Sequence, residues 1–276
     1  MKTLIIGATG LLAKPVIKHF DKQDKSLRLF SRNIDSKEFP GNYEIVKGDV
    51  FNPSDLQNAI KGCDAIHISI SKVNEALAVE KIVAMAKQHN IQLISYVSGS
   101  TVAEENSWFW MIKNKLIAEK TIINSGIPYI IFRPTWFFES MLLMVRDGKA
   151  MMIGKQPHPS SWLAADDFAR MVVTAYQKEE AKNNIFYIHG PEKMLMKEVL
   201  LTYASYLNPP IKKLSITPIS MLKFIAFVSR NKELKMVASM FAYFEKSKEL
   251  GDPTQANELL GAPEITLEQW LATQKD

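Results

Sequence analysis

The sequence predicts an α/β fold in which a doubly wound parallel sheet is followed by a smaller, mostly helical C-terminal lobe. Short β-rich runs alternate with helical stretches through the first half of the chain, and a glycine turn joins the first run to the first helical stretch. After Pro134 the pattern becomes mostly helical. Such alternation is typical of βαβ units, whose right-handed crossovers build a parallel sheet with helices on both faces.

The individual strands are predicted from apolar and β-branched runs, and the helices from the spacing of apolar residues between them. Strands are expected over Thr3–Ile6, Leu27–Ser31, Glu44–Lys47, Ala65–Ser69, Leu93–Ser98, Tyr129–Arg133 and Asn184–His189. Helices are expected over Leu11–Phe20, Asp55–Ile60, Asn74–Gln88, Ile112–Asn124, Lys197–Tyr206, Ser220–Ser229, Leu234–Leu250 and Leu267–Thr273.

We expect two domains, over residues 1–150 and 151–276, and we expect some segments of the second range to pack into the first domain. Ligands bind doubly wound sheets at the carboxyl ends of their strands. The second lobe is therefore expected to lie over those ends and to shape a substrate pocket.

The composition is that of a globular protein with a sizeable core, since 47% of the 276 residues are hydrophobic and 23% are charged. The 34 basic and 29 acidic residues give a formal net charge of +5, and the charges are interpreted as scattered. A mildly basic surface suits an anionic cofactor, whereas nucleic acid requires a basic face, so no nucleic-acid partner is expected. The single cysteine, Cys63, excludes an internal disulfide.

No apolar run reaches the roughly 18 residues that a membrane span requires. The longest, near Ile216–Val228 and Val237–Phe244, are expected to form buried helices, and no membrane partner is expected. The chain opens on strand-like residues, Met1 to Ile6, rather than on a cleavable leader, so the expected compartment is the cytoplasm.

Several other chemistries are excluded by their missing motifs. The five histidines and Cys63 show no metal-ligand spacing, so no metal is expected. The chain has no Gly-x-Ser-x-Gly elbow and no Gly-Lys-Ser/Thr phosphate loop. The adjacent carboxylates Asp166 and Asp167 are expected to include the cap of the helix that follows.

The stretch "LIIGATGLLAKPVI" predicts a dinucleotide site at the end of the first strand. Gly7 permits the tight turn, Gly10 lets backbone approach a pyrophosphate, and Ala13 is small enough for close packing of helix on strand. The pyrophosphate would lie at the helix N-terminus, where N–H groups and the dipole favour negative charge. A βα turn with incidental glycines is the alternative.

The end of the second strand favours NADP(H). Chains that select NAD place a carboxylate there, whereas this chain has Ser31–Asn33 with Arg32 at its centre. Arg32 can pair with a 2′-phosphate, and a solvated surface arginine is the alternative. Asp49 and Val50 would lie beside the adenine, although a plain turn competes for Asp49. NAD(H) remains possible.

These residues together resemble the atypical or extended short-chain dehydrogenase/reductases, in particular the NmrA-like group. The resemblance rests on "GATGLLA", "GDVFNPSDL", "SYVSGS", "KLIAEKTIINSGIPYIIFRPTWF", "WLAADDFARMV", "FYIHGPE" and "LLGAPEITLEQWL". It implies an NAD(P)-binding Rossmann domain with a small C-terminal substrate lobe. The expected cofactor-binding residues are Gly7, Thr9, Gly10, Leu11, Leu12, Arg32, Asp49, Val50, Ser69, Ile70 and Lys115.

Lys115 matches the family's active-site lysine, which bonds the nicotinamide ribose and activates a tyrosine four residues before it. Here Met111 occupies that position. A thioether has no proton to give, so Met111 removes the usual mechanism of ketone reduction and argues against sugar epimerisation. The alternative for Lys115 is a surface lysine of a lysine-rich helix.

The resemblance also implies a substrate-facing hydroxyl after the fifth strand, at Ser98 or Ser100, for which bonding within the loop is an equal alternative. Lys115 and Ser98 are the candidate catalytic residues. Ser100, Trp136, Phe137 and Phe138 are the candidate substrate-binding residues, and plain core packing is the alternative for the aromatic ones.

Hydride addition to a quinone or activated double bond depends mainly on positioning and can dispense with a tyrosine. We therefore expect an NAD(P)H-dependent oxidoreductase acting on an apolar carbonyl, quinone or enone. The family also includes proteins that bind the nucleotide and catalyse nothing. A redox-sensing regulator that reports to a protein partner is accordingly the second hypothesis.

Overall fold

The computed structural model describes residues 1–23, 26–71 and 74–274. Contacts divide the chain into two compact units. The first contains Met1–Pro134, Ala165–Ile188 and Gly251–Ala262, and the second contains Thr135–Ala164, His189–Leu250 and Pro263–Asp276. The N-terminal segment of the first unit thus ends at Pro134 rather than near residue 150, because the chain leaves the main sheet where its sixth strand ends.

Seven parallel strands form the sheet of the first unit, as far as the described residues go. They are β1 (Thr3–Ile6), β2 (Leu27–Ser31), β3 (Glu44–Lys47), β4 (Ala65–Ile68), β5 (Leu93–Val97), β6 (Tyr129–Pro134) and β10 (Asn184–Ile188). Their order is β10-β6-β5-β4-β1-β2-β3. The order reverses between β1 and β4, and such a reversal is where doubly wound sheets bind ligands.

Helices cover both faces of this sheet. They are α1 (Ala13–Asp21), α2 (Pro53–Ile60), α3 (Glu75–Gln88), α4 (Trp110–Ile123), α5 (Ala165–Ala175) and α9 (Thr254–Leu260). Helix α1 contacts α5 on one face, and α3 contacts α2 and α4 on the other. Some starts are set by capping: the Asn52 side chain accepts hydrogen bonds from the Ser54 and Asp55 amides ahead of α2.

The second unit contains several short strands and the remaining helices. Its strands are β7 (Val145–Arg146), β8 (Lys149–Ile153), β9 (Ser160–Trp162), β11 (Glu192–Met194) and β12 (Leu214–Thr217), and its helices are α6 (Met196–Tyr206), α7 (Ile219–Val228), α8 (Lys232–Phe244) and α10 (Leu267–Ala272). Short 3-10 turns cover Ser36–Glu38, Glu104–Asn106, Phe138–Leu143 and Glu179–Ala181. No helix among the described residues has the length and apolar composition needed to cross a bilayer.

Glu249 is a polar centre of the second unit. Its buried carboxylate accepts hydrogen bonds from the Thr135 hydroxyl and from both the amide and the hydroxyl of Ser161, the last two at 2.8 Å. Nδ1 of His189 lies 3.6 Å away. Burial alone would raise the pKa of Glu249, but hydrogen bonds from Thr135 and Ser161 and the nearby His189 hold it below its usual value.

The predicted fold is confirmed, and most strand ends agree within one residue. The capping expectation for the acidic pair is wrong, because α5 begins at Ala165 and both residues lie inside its first turn. There Asp166 contacts His19 and Asp167 pairs with Arg170. Carboxylates in a first turn are favoured by the helix dipole in any case.

The expectation of burial for the longest apolar stretch is also wrong. In α7 only Leu222 and Ala226 are buried, whereas Phe227 is 82% exposed. Helix α8 is closer to the expectation, with Ala238, Phe241 and Tyr243 buried.

A buried polar chain crosses the sheet face covered by α1 and α5. His67 of β4 lies beside Ser95 of β5, with 2.7 Å between Nδ1 and the hydroxyl oxygen, which is in turn 2.7 Å from the Tyr176 hydroxyl. Nε2 of His67 is buried and has no partner among the described residues. Burial lowers the pKa of His67 to about 3, so the imidazole stays neutral.

His67 should make the folded state sensitive to acid. The unfolded imidazole titrates near pH 6.5 and the folded one at a pKa of about 3, so between these values the unfolded state binds one more proton. The free energy of unfolding then falls as pH falls, by about 1.4 kcal/mol per pH unit. We expect wild type to lose about 2.5 kcal/mol relative to His67→Asn between about pH 6 and pH 4, measured by urea unfolding.

The asparagine keeps a hydrogen-bonding group beside Ser95 but does not titrate in this range. Other acid-sensitive groups contribute equally to both proteins and cancel in the difference. Parallel pH profiles of the two proteins would contradict the assignment.

Candidate functional site

The first turn after β1 has no room for a side chain at Gly7. This residue has a φ of +86°, and an added Cβ would lie 2.2 Å from the backbone oxygen of Ser69. The Ser69 amide donates to the Ile6 carbonyl at 3.0 Å, which holds the ends of β1 and β4 together. Glycine is therefore required where the strand order reverses.

Gly10 leaves the N-terminus of α1 open. Its amide donates to the Gly7 carbonyl at 2.9 Å, and the Ala13 amide donates to the Gly10 carbonyl at 3.1 Å. A Cβ on Gly10 would lie 3.1 Å from the Gly7 oxygen, which is tight but tolerable. The N-cap residue of α1, Leu12, makes no side-chain cap and the first turn of the helix has no acidic residue, so the helix start can receive an anion.

The remaining predicted cofactor residues lie around this turn. The Thr9 hydroxyl is 2.9 Å from that of Ser31, which ties the turn to the end of β2. Leu11 is 44% exposed, Leu12 is half-buried, and Ser69 and Ile70 are half-buried after β4.

Arg32 is exposed and has no hydrogen-bond or ion-pair partner within the described ranges. The neighbouring cation, Lys14, is already paired with Glu38 at 2.8 Å. Arg32 is thus the free cation directly after β2, where a 2′-phosphate would require one.

Asp49 takes part in a turn. Its Oδ1 accepts the Phe51 amide at 3.0 Å, and its own amide donates to Asp55 at 3.0 Å. Val50 is half-buried and packs against the apolar core. The turn that competes with the adenine contact is therefore present, and the adenine contact stays a prediction.

Lys115 is buried rather than exposed, so the alternative of a surface lysine is excluded. Its Nζ is 2.9 Å from Oε1 of Glu75, whose side chain is 1% exposed, and 3.3 Å from the carbonyl of Val97, the last residue of β5. The Tyr96 hydroxyl donates to the same Oε1. The ammonium therefore lies at the carboxyl edge of the sheet, paired with a carboxylate that the sequence prediction omitted.

Tyr96 stands beside Lys115 although it lies far from it in the sequence. Nζ is 5.3 Å from the centre of the Tyr96 ring. Burial and the adjacent Glu75 carboxylate raise the pKa of Tyr96 well above its ordinary value, so this hydroxyl keeps its proton. Tyr96 therefore cannot replace the activated tyrosine, whose position is occupied by Met111. Met111 itself is half-buried in the first turn of α4.

Ser98 belongs to a second buried charge cluster. Its hydroxyl donates to Oε1 of Glu119, and Arg133 holds the same carboxylate with two hydrogen bonds, one of 3.0 Å from Nε. The Arg133 guanidinium also lies over the Tyr187 ring. The hydroxyl proton of Ser98 is thus committed to a protein carboxylate, not to the loop backbone.

The predicted substrate residues divide between the units. Ser100 is buried in the first, and its amide donates to the Pro134 carbonyl at 2.9 Å. In the second, Phe138 is fully buried and stacks on Trp162 and Trp270, so it serves the core. Trp136 is only half-buried and Phe137 is 9% exposed.

The sequence did contain a signal for the omitted carboxylates. Glu75 shares a helix face with Val79, Ile82, Val83 and Ala86, all of them buried. Glu119 and Lys115 likewise share the buried face of α4 with Ala118 and Ile122. An ionisable residue on an apolar helix face predicts a buried partner, because a charge is costly to bury unpaired.

Among the described residues, no group of three or more His, Cys, Asp and Glu side chains could hold a metal ion.

Two curated relatives match most of the chain. The Photosystem II assembly factor Ycf39 of Trieres chinensis is 22% identical over 275 residues, covering 94% of this chain and 82% of its own. The NAD(P)H azoreductase of Xenophilus azovorans is 19% identical over 223 residues, covering 78% and 77%.

Solved structures share the fold. A nucleoside-diphosphate-sugar epimerase from Staphylococcus aureus superposes with a TM-score of 0.78 at 19% identity, over 98% of this chain and 99% of its own. The NADPH-dependent quinone oxidoreductase QOR2 from Escherichia coli, complexed with NADPH, gives 0.77 at 18% identity over 100% of both.

A family model described as NAD(P)H-binding matches residues 7–179, which include the glycine turn, the open start of α1, Arg32 and Lys115. The match extends over more than half of the chain, and the expected NmrA-like resemblance is confirmed. The chain belongs to the NAD(P)H-binding family of Rossmann-type proteins.

Proposed function

We propose that the protein is an NADP(H)-preferring oxidoreductase that reduces an apolar quinone, enone or other activated carbonyl compound without a tyrosine acid. The observation that carries the proposal is the pairing of an open dinucleotide turn with Lys115, Tyr96 and Ser98, whose polar groups are bound to the buried carboxylates Glu75 and Glu119. The turn supports cofactor binding. The bound hydroxyls argue against reactions that need a proton from the protein.

The preference for NADP(H) rests on Arg32. A planar guanidinium can hold a phosphate with two hydrogen bonds, and no carboxylate lies at Ser31–Asn33 to receive a ribose hydroxyl. The structural neighbour from Escherichia coli was crystallised with NADPH. The bound NADPH is a property of that neighbour, and it is consistent with a preference for NADP(H) in this protein.

Lys115 is proposed to hold the nicotinamide ribose. Its ammonium lies at the end of β5, on the edge of the sheet where the cofactor is expected. Oε2 of Glu75 is buried and has no partner in the described part of the chain. The lysine therefore offers the donor that a ribose hydroxyl requires, while Glu75 balances its charge from the buried side.

The lack of a free acid among Tyr96, Ser98 and Lys115 limits which substrates could be reduced at this site. The nicotinamide supplies a hydride, and an electron-poor acceptor such as a quinone takes it to give an anion that water can protonate. An ordinary ketone would give a strongly basic alkoxide that needs an acid at hand. For Ser98 to act on a substrate carbonyl, its hydroxyl would have to leave Glu119.

Ser100, Trp136 and Phe137 remain proposed substrate contacts, whereas the packing of Phe138 suits a structural role. The names of the azoreductase and quinone oxidoreductase relatives support an electron-poor acceptor.

A regulator that binds NADP(H) without turnover is the second candidate. It is favoured by Met111 in the tyrosine position and by the relative named as a Photosystem II assembly factor. Such a protein would bind NADPH as the enzyme does, so only turnover separates the two.

Arg32→Ala should weaken NADPH binding far more than NADH binding, because only NADPH carries the 2′-phosphate. A charge-assisted contact is worth about 1.5–3 kcal/mol, so we expect a roughly ten- to hundredfold loss for NADPH in calorimetry. Lys18→Ala, which removes an exposed cation of α1, is the matched control and should change neither affinity. Equal losses for both cofactors would exclude Arg32 from phosphate selection.

Lys115→Met should destabilise the protein by about 3–5 kcal/mol, because it leaves the Glu75 carboxylate buried without its cation. Combining it with Glu75→Gln removes both charges and should recover most of the loss in urea unfolding. The stable double variant then tests the ribose contact separately from folding. Its NADPH affinity should fall at least tenfold, and an affinity equal to wild type would mean that Lys115 only stabilises the fold.

Quinone-dependent NADPH oxidation should be measurable by absorbance, and saturated ketones should give none. Met111→Ala should keep turnover within about tenfold, less than the hundredfold or more that loss of a general acid costs. Gly10→Val, whose side chain would occupy the space expected for the pyrophosphate, provides the cofactor-free background. NADPH binding without turnover on quinones, enones or aldehydes would favour the regulator.

A further inference from the structure

Helix α7 exposes an unusual apolar surface on the second unit. Ser220 and Lys223 are its only polar residues, and only Leu222 and Ala226 are buried. The exposed fractions are 49% for Met221, 67% for Phe224, 41% for Ile225, 82% for Phe227 and 63% for Val228.

These side chains form a continuous patch rather than scattered exposures. Met221, Ile225 and Val228 follow helical spacing of four and three, and Phe224 and Phe227 adjoin that row. Together they expose on the order of 500 Å², near the upper end for the largest patch on an ordinary monomer. A surface of this kind normally has an occupant.

The charges in the segment that contains the patch are mostly positive. Residues 212–235 contain six basic residues and one acidic residue, Glu233, so this segment carries the whole formal net charge of +5. The basic residues are Lys212, Lys213, Lys223, Arg230, Lys232 and Lys235. All are exposed, and none has an ion-pair partner in the described part of the chain. The interpretation of the charges as scattered is therefore wrong for this segment.

We propose that α7 and its flanking cations dock on an anionic membrane surface. Aromatic and aliphatic side chains would enter the boundary between headgroups and acyl chains, and the cations would contact lipid phosphates. A ten-residue helix is about 15 Å long, which suits a helix lying in the interface and is too short to span. The expectation of no membrane partner rested on the absence of a spanning run, which a peripheral contact does not need.

Charge complementarity decides against a second copy as the occupant. A symmetric dimer through α7 would bring two segments face to face, each with a net charge of +5 that already includes its single carboxylate. An anionic lipid surface instead matches both the apolar residues and the cations around them.

Vesicle co-sedimentation of the full chain tests the proposal. We expect at least tenfold stronger binding to vesicles of phosphatidylcholine with phosphatidylglycerol than to phosphatidylcholine alone, with binding falling as salt is raised. Phe224→Gln with Phe227→Gln should lose binding at least tenfold, and so should Lys212→Gln with Lys213→Gln and Lys223→Gln. All five residues are exposed, so the fold should tolerate the changes.

Leu77→Gln with Leu143→Gln removes exposed apolar residues elsewhere and is the matched control, expected to bind like wild type. Absence of vesicle binding by wild type, or equal binding by the phenylalanine variant, would overturn the proposal. So would a dimer in light scattering that the phenylalanine changes dissociate, since α7 would then be covered by a second copy.

A fluorescent label can report which surface touches the lipid. The only native thiol, Cys63, is buried, so Ser220→Cys places a single accessible label on α7. An environment-sensitive dye there should shift its emission to shorter wavelength on anionic vesicles, whereas a dye at Ser54→Cys in α2 should not. A shift at Ser54→Cys alone would place the contact on the first unit.

Discussion

The contact between Gly7 and Ser69 is the constraint on which the cofactor-binding unit depends. Any side chain at Gly7 would collide with a backbone oxygen of the neighbouring strand, and backbone has no alternative rotamer to adopt. This close approach joins β1 to β4 where the strand order reverses, and it directs the chain into α1. The uncapped start of α1 follows directly on that turn, and the contact of 2.9 Å between the Thr9 and Ser31 hydroxyls ties the turn to the end of β2, next to Arg32.

Two buried ion pairs set the chemistry on the face of the sheet covered by α3 and α4. Glu75 takes hydrogen bonds from Tyr96 and Lys115, and Glu119 takes them from Ser98 and Arg133. Buried pairs add little net stability over apolar packing, although breaking one is costly. Their effect here is to fix polar groups near the end of β5 and to commit their protons. The Tyr96 and Ser98 hydroxyls both donate to these carboxylates, and the proposal of an acceptor protonated by water rests on this.

Much of the first unit could be predicted from the sequence, because parallel strands buried on both faces are apolar runs with clear ends. The glycine turn could be located from local spacing, and Met111 from the resemblance to a family that places a tyrosine four residues before its lysine. The partners of Lys115 could not be found by counting along the chain. Glu75 lies 40 residues away and meets Lys115 only through the packing of α3 against α4. The short strands of the second unit were missed because two- to five-residue strands carry almost no periodic signal.

Helix α7 shows where apolar composition stops predicting burial. Apolar composition shows that a segment would gain from burial, but it does not show whether the rest of the chain covers that segment. In α7 only two of the ten residues are buried. The same stretch carries the net positive charge. Its apolar and basic side chains together therefore suit an anionic lipid surface better than the protein's own core. Quinones of low polarity partition into lipid, whereas NADPH stays in water. A reductase that rests on the bilayer would meet both, so the membrane proposal and the redox proposal are compatible although each depends on different residues.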